Sequence, residues 1–369
     1  MNFEFSPEQD ELRNQSRRFL QERCDSAAVR RVLDGQVPYD RELWAGLAEL
    51  GYLGAGIPEE YGGVGLGYLE LCVLAEELGR ALAPLPFSSS IYLAAEFLKA
   101  AGSEEQKQSW LPRLANGSAI GTFALVEDFG APSPAGIRTA FADGALSGTK
   151  IAVADGGIAD FAVVAAQSGD GLGLYLVELD QPGVTREIVG TIDPTREHAA
   201  LRFDRATAEP LGDKADGWRT IEAVNDRAAV LTAFEQVGGA EAALMMARDH
   251  ARERMAFGRQ IGSFQAIKHM LADMYVSLTL ARSNAYYGAW ALSQQHAELP
   301  IASATARVSA TQAYQQCARN NIQVHGGMGF TWAADCHLHY RRANLLALNL
   351  GSLSQWEDAL VERLRQRPS

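Results

Sequence analysis

The chain has 369 residues, and 45 Asp+Glu against 33 Lys+Arg give a formal net charge of −12. With 47% hydrophobic residues, a disordered or collagen-like chain is excluded and there is material for two or three domain-sized cores. The acidity argues against general binding to nucleic-acid backbones, while a local basic patch still suits one anionic cofactor. Cys24, Cys72, Cys317 and Cys336 lie far apart with no CxxC pair, so neither a disulfide framework nor a zinc site is expected. The opening MNFEFSPEQDELRNQ is polar, and no apolar run approaches the roughly 18 residues a membrane span needs. The expectation is a soluble cytoplasmic protein.

From Ser6 the chain reads as helical. Ser6-Pro7-Glu8 supplies an N-cap, a proline at the first helical position and an acidic first turn. A second helix spans Tyr39–Leu50 and stops at Gly51. The glycine-rich stretch from Pro58 to Gly65 reads as a loop, a helix resumes over Tyr68–Ala81, and Ser103-Glu104-Glu105-Gln106 opens another with a capping box.

After about Ala119 the periodicity falls to two. Thr139–Phe141, Ala145–Leu146, Phe161–Ala166, Leu172–Glu178 and Ala200–Phe203 are short β-type runs, separated by turns such as Asp143-Gly144 and Gln181-Pro182-Gly183. They predict a small sandwich or barrel. From Gly217 helices return over Ile221–Arg254, Phe264–Gln295, Ile301–Gln323 and Leu353–Arg367. The expected organisation is an N-terminal helical domain (1–118), a small central β domain (119–214) and a C-terminal domain like a four-helix bundle (215–369).

Two blocks carry candidate chemistry. In the stretch from Arg252 to Gln265 a helix ends in arginines, breaks at Gly258 and restarts at Ser263, whose first turn offers N–H groups to an anion. A plain C-terminus with favourable cations and an N-cap serine explains the same pattern. In Gln323-Val324-His325-Gly326-Gly327-Met328-Gly329-Phe330 the glycines let a backbone or flat ligand approach closely, or simply end a helix. His325 reads as a hydrogen-bonded loop histidine. His337 and His339 have no convergent ligands, so no metal is expected.

Together, RERMAFGRQIGSFQAIKHMLADM and IQVHGGMGF, with PEEYGG upstream and the helical–β–helical order, resemble the acyl-CoA dehydrogenase family over essentially the whole chain. The resemblance implies non-covalent FAD and an acyl-CoA substrate. In that family a carboxylate removes the α proton while the β hydrogen leaves as hydride to the flavin. It also implies that Arg254, Phe257 and Gln265 contact the pyrophosphate and adenine side of FAD, with Gln323, Gly326 and Gly327 at its adenosine end, reaching a neighbouring subunit's flavin in a dimer or tetramer. An electron-transfer flavoprotein is the implied acceptor.

The groups that hold a subunit's own flavin ring are replaced. The family's T-E-P-x-A-G-S-D segment falls on Val126–Ser133, placing Val126 and Pro132 where hydroxyls are usual. Its K-x-W-I-T-N segment falls on Lys150–Asp155, so Ala152 stands for the tryptophan and Ala154 for the threonine. None of the four donates a side-chain hydrogen bond. The usual base positions hold Leu350 and Ala228, the latter followed by Ala229 rather than arginine. Asp226-Arg227 matches only if the helix carries a local insertion. Glu235, two turns after Ala228, remains as a candidate base or as the partner of an arginine across a subunit interface. The pattern resembles the small subunit of bacterial α2β2 acyl-CoA dehydrogenases of the steroid side-chain type, in which one chain completes the other's site. The alternatives are a non-catalytic structural subunit and a self-sufficient homotetramer using Glu235.

Overall fold

The computed structural model describes residues 6–213 and 216–366. The expected junction at 214/215 and the expected helix end at Arg367 lie outside them. Helices α1 (Pro7–Arg23), α2 (Ser26–Leu33), α3 (Arg41–Glu49), α4 (Tyr68–Arg80), α5 (Ala95–Ala101) and α6 (Glu104–Ala115) come first. Strands β1 (Gly121–Ala124), β2 (Ala140–Ala142), β3 (Ala145–Ala154), β4 (Phe161–Ser168), β5 (Gly171–Glu178), β6 (Val184–Ile188), β7 (His198–Thr207) and β8 (Glu209–Leu211) follow. Then come α7 (Gly217–Glu253), the hairpin β9 (Met255–Ala256) and β10 (Arg259–Gln260), α8 (Gln265–Ser293), α9 (Leu299–His325), α10 (Cys336–Leu346) and α11 (Leu353–Arg365). The N-cap expected at Ser6 and the capping box expected at Ser103 are both formed, and Ser6 also makes a capping box with Gln9. The expected loop at Pro58–Gly65 holds one 3-10 turn, Glu59–Tyr61, ended by Gly62 at φ 75°.

By its internal contacts the chain forms two compact units, Arg30–Gly67 with Pro84–Ala228, and Met1–Val29 with Tyr68–Ala83 and Ala229–Ser369. In the first, the eight strands make one hydrogen-bonded sheet in the order β6-β7-β3-β2-β4-β5-β8, with β1 parallel to β4. Asp143 (φ 51°) and Gly144 (φ 76°) join β2 to β3, the positive-φ pair that a two-residue hairpin requires. One face of β4 and β5 packs Phe161, Val163, Leu174 and Leu176 against Phe97, Trp110 and Leu111 of α5 and α6. A register shift between Lys150 and Val153 makes a β-bulge in β3, with Ala152 at φ 52°. Lys150 beside it is fully buried, and its Nζ donates to Glu127 Oε1 (2.6 Å) and the Leu125 carbonyl (3.1 Å). Burial pushes Lys150 down to about 8 against the pull of Glu127. Burial pushes Glu127 up, but bonds from Lys150, Thr139 and Arg138 outweigh it and leave its carboxyl below the ordinary value. A π-helical turn, Ser88–Ala94, precedes α5.

The second unit is helical. Its four cysteines are free thiols and buried. Helices α4 and α7 cross closely, because a Cβ on Gly79 would overlap the Glu235 carbonyl and one on Gly238 the Glu76 carbonyl. Around this crossing Glu76, Glu77 and Glu241 pair with Arg17, Arg80 and Arg282. His339 of α10 is buried and faces the Tyr314 hydroxyl at 3.2 Å. Burial, then the charge of Arg342, push it from 6.5 to about 4. Since the unfolded chain takes up that proton first as pH falls, stability is lost from 6.5 down to about 4, by about 3 kcal/mol in all. Urea midpoints across this window should fall steeply in the wild type and much less in His339→Gln.

Candidate functional site

The last turn of α7 presents Arg252 to solvent, Arg254 follows it directly and is also exposed, and the chain then reverses through the β9–β10 hairpin. Phe257 (φ 52°) and Gly258 (φ 77°) form its turn. A positive φ is uncommon for a bulky residue, and the turn holds the Phe257 ring 96% exposed. The rings of Phe257 and Phe264 meet edge to face at 6.1 Å, and the Arg259 guanidinium lies 4.1 Å over Phe264. Helix α8 begins at Gln265 rather than Ser263. The Ser263 hydroxyl is used in donating to the Gln260 carbonyl at 2.6 Å, and Phe264, at the cap position, makes no side-chain cap bond. The expectation of a serine N-cap is therefore corrected.

At the end of α9, Gly326 (φ 59°) turns the chain, and a Cβ built on Gly326 or Gly327 meets nothing within 4 Å. His325 closes the helix, its Nδ1 2.9 Å from the Asn321 carbonyl, and its ring stacks on His250 of α7 at 4.0 Å and 24°. This stack joins the ends of α7 and α9. Arg254, Phe257, Gln265, Gln323, Gly326 and Gly327 are all exposed. The donor set and the open glycine turn fit the phosphate and adenosine end of FAD: cations, backbone N–H groups and no side chain blocking approach.

The ring-holding positions do not fit in the same way. Ala152 sits on the β3 bulge with no aromatic face, and the Val126 carbonyl is occupied by the Ile151 N–H at 2.8 Å. The Ala154 carbonyl accepts the Thr122 hydroxyl at 2.5 Å. The side chains of Val126, Pro132, Ala152 and Ala154 supply no donor to a flavin ring.

The base positions are apolar and packed. Leu350, at φ 62°, packs with Ala229, Ala304 and Trp356, and the Trp356 indole N–H donates to its carbonyl at 3.0 Å. The fully buried guanidinium of Arg307 holds this loop from beneath. It donates to the carbonyls of Leu346 and Asn349 (the latter at 2.6 Å), to Gln236 Oε1 at 2.6 Å and to Thr311 Oγ1 at 3.0 Å. Burial, opposed by the charge of Glu235, pushes Arg307 down to about 9. Ala228 and Ala229 are fully buried in the unbroken helix α7, so the insertion that would align Asp226-Arg227 is absent there. Arg227 instead pairs with Glu96 at 3.2 Å.

Glu235 is 1% exposed, and its Oε1 lies 3.6 Å from Nη1 of Arg342, itself 1% exposed. A general base must reach the proton it takes. A carboxylate sealed beside a buried guanidinium has the surroundings of a structural counter-ion. The expected arginine across a subunit interface is corrected to one of the same chain, Arg342. Arg307, Arg342 and His250 escaped the sequence reading because their partners lie tens of residues away. Among the described residues, no group of three or more His, Cys, Asp or Glu side chains is placed to hold a metal ion, and no helix is long and apolar enough to cross a membrane.

The acyl-CoA dehydrogenase N-terminal domain matches residues 6–118, and the acyl-CoA dehydrogenase C-terminal domain matches residues 215–357. Acyl-CoA dehydrogenase IpdE2 of Mycobacterium tuberculosis is 37% identical over 319 residues, 86% of this chain and 85% of that protein. A chain of the ChsE4–ChsE5 complex from Mycobacterium tuberculosis superposes with a TM-score of 0.91 at 28% identity, covering 100% of this chain and 100% of that one. Butyryl-CoA dehydrogenase from Megasphaera elsdenii does so with a TM-score of 0.91 at 25% identity, covering 99% of this chain and 100% of that one. The chain belongs to the acyl-CoA dehydrogenase family. Its members are FAD-binding oxidoreductases that act on the CH–CH bond of an acyl-CoA.

Proposed function

We propose that this chain is the completing subunit of a heteromeric, FAD-dependent acyl-CoA dehydrogenase. It contributes Arg254, Phe257, Gln265, Gln323, Gly326 and Gly327 to the phosphate and adenosine end of a flavin held by a second acyl-CoA dehydrogenase-like subunit. The carrying observation is the contrast within one polypeptide. The exposed, open glycine and arginine loops are intact, whereas Leu350, Ala228, Val126, Ala152 and Ala154 lack the base and ring contacts. The similarity to the ChsE4–ChsE5 complex supports an assembly of unlike chains. The assembled enzyme would pass electrons to an electron-transfer flavoprotein, and the four free, buried cysteines support a reducing cytoplasm.

The test is to purify the chain alone and with an acyl-CoA dehydrogenase-like partner, then record the flavin absorbance and acyl-CoA-dependent dye reduction of each. Flavin and turnover should appear only in the co-purified assembly. Stoichiometric FAD and turnover in the lone chain would refute the reading. Glu235→Gln should lower the stability of either preparation by about 3 kcal/mol, because it removes the carboxylate charge beside the buried Arg342 guanidinium. It should leave assembly turnover within about twofold of the parent, whereas loss of a catalytic general base costs about a hundredfold or more.

A further inference from the structure

The His250–His325 stack lies where the two loops of the proposed flavin-completing surface leave their helices, and none of the contacts described above gives it a role. Both rings are half-buried, at 4.0 Å and 24°, each in the last turn of its helix. His325 Nδ1 faces the Asn321 carbonyl. The charged groups acting on His250 are few: Arg254 and His325 oppose its protonation, and Glu253 favours it. Two imidazoles in van der Waals contact accept one proton far more readily than two. A helix C-terminus favours that one cation.

We propose that the stacked His250–His325 pair is a third element of the anion site, beside the arginine hairpin and the glycine turn, and takes up one proton when a diphosphate diester binds. This rests on the reading that these loops receive the phosphate end of FAD. Burial, followed by the charges of His325 and Arg254, lowers His250 from its ordinary value of 6.5, so the surroundings of the empty site disfavour its charged form. A bound diphosphate brings two negative charges and reverses that balance. The signs follow from linkage. The anion prefers the protonated pair, so affinity is highest in acid. It falls, approaching tenfold per pH unit, as pH rises from the free to the bound value of the pair, and is level beyond.

The test uses ADP-ribose, a diphosphate diester that does not titrate near neutrality, added to the flavin-depleted co-purified assembly across that pH range and followed by calorimetry in two buffers of different protonation enthalpy. The expected result is proton uptake between zero and one per ADP-ribose, with the pH slope abolished in His250→Phe/His325→Gln while binding persists. The single variant His325→Gln, checked by circular dichroism, serves if the double variant does not fold. ADP-ribose binding without proton uptake, or an unchanged slope in the variants, would overturn the role of the histidines and leave the loop reading intact. No binding at any pH by the wild type, or binding undiminished in Arg254→Ala, would overturn both.

Discussion

Replacing Arg307 with methionine should cost about 3–5 kcal/mol of stability, the penalty for removing one partner of a buried charged network. The substitution deletes the donors to Gln236, Thr311, Leu346 and Asn349 together. Two backbone carbonyls are then left buried without partners. Arg307→Lys should recover little of this, because a single ammonium cannot span the guanidinium's acceptors. The loss should be local before it is global. Amide exchange at Leu350 and Gly351 should quicken first, since Arg307 and the Trp356 indole hold that loop. Urea unfolding and hydrogen exchange read both effects. Wild-type protection at residues 349–351 in Arg307→Met would contradict this account of the loop.

The second large effect concerns flavin rather than folding. In the co-purified assembly, Arg254→Glu should strip FAD, with affinity falling about a hundredfold or more as a carboxylate replaces a guanidinium beside the diphosphate. Arg254 is exposed, so the melting temperature of the lone chain should stay close to that of the parent. Arg219→Glu, in the first turn of α7 and with its side chain 84% exposed, is the charge-matched control and should retain flavin. The flavin-to-protein absorbance ratio after gel filtration measures both. Full FAD occupancy in Arg254→Glu would remove this residue from the cofactor surface.

Local chemistry was legible in the sequence wherever a short stretch decides its own conformation. Ser6 and Ser103 form capping boxes with residues three positions on, and Asp143-Gly144 makes the β2–β3 turn because that pair accepts positive φ. Strand β6 escaped because Val184-Thr185-Arg186-Glu187-Ile188 is a charged, half-exposed edge strand with no clean alternation. Strand β1 escaped because it is four residues long and pairs in parallel with a strand forty residues later. The two candidate loops could be found from their arginines and glycines. The setting of Glu235 could not, because it depends on Arg342 more than a hundred residues away. The same limit hid Arg307, whose four acceptors come from three separate stretches of chain.

The most direct measurement of the central claim is native mass spectrometry of the intact assembly, which reports subunit composition and flavin count in one spectrum. The account predicts two copies of this chain with two of a second acyl-CoA dehydrogenase-like chain and two FAD in all, and no flavin on this chain by itself. A tetramer of this chain alone carrying one FAD per protomer would contradict it.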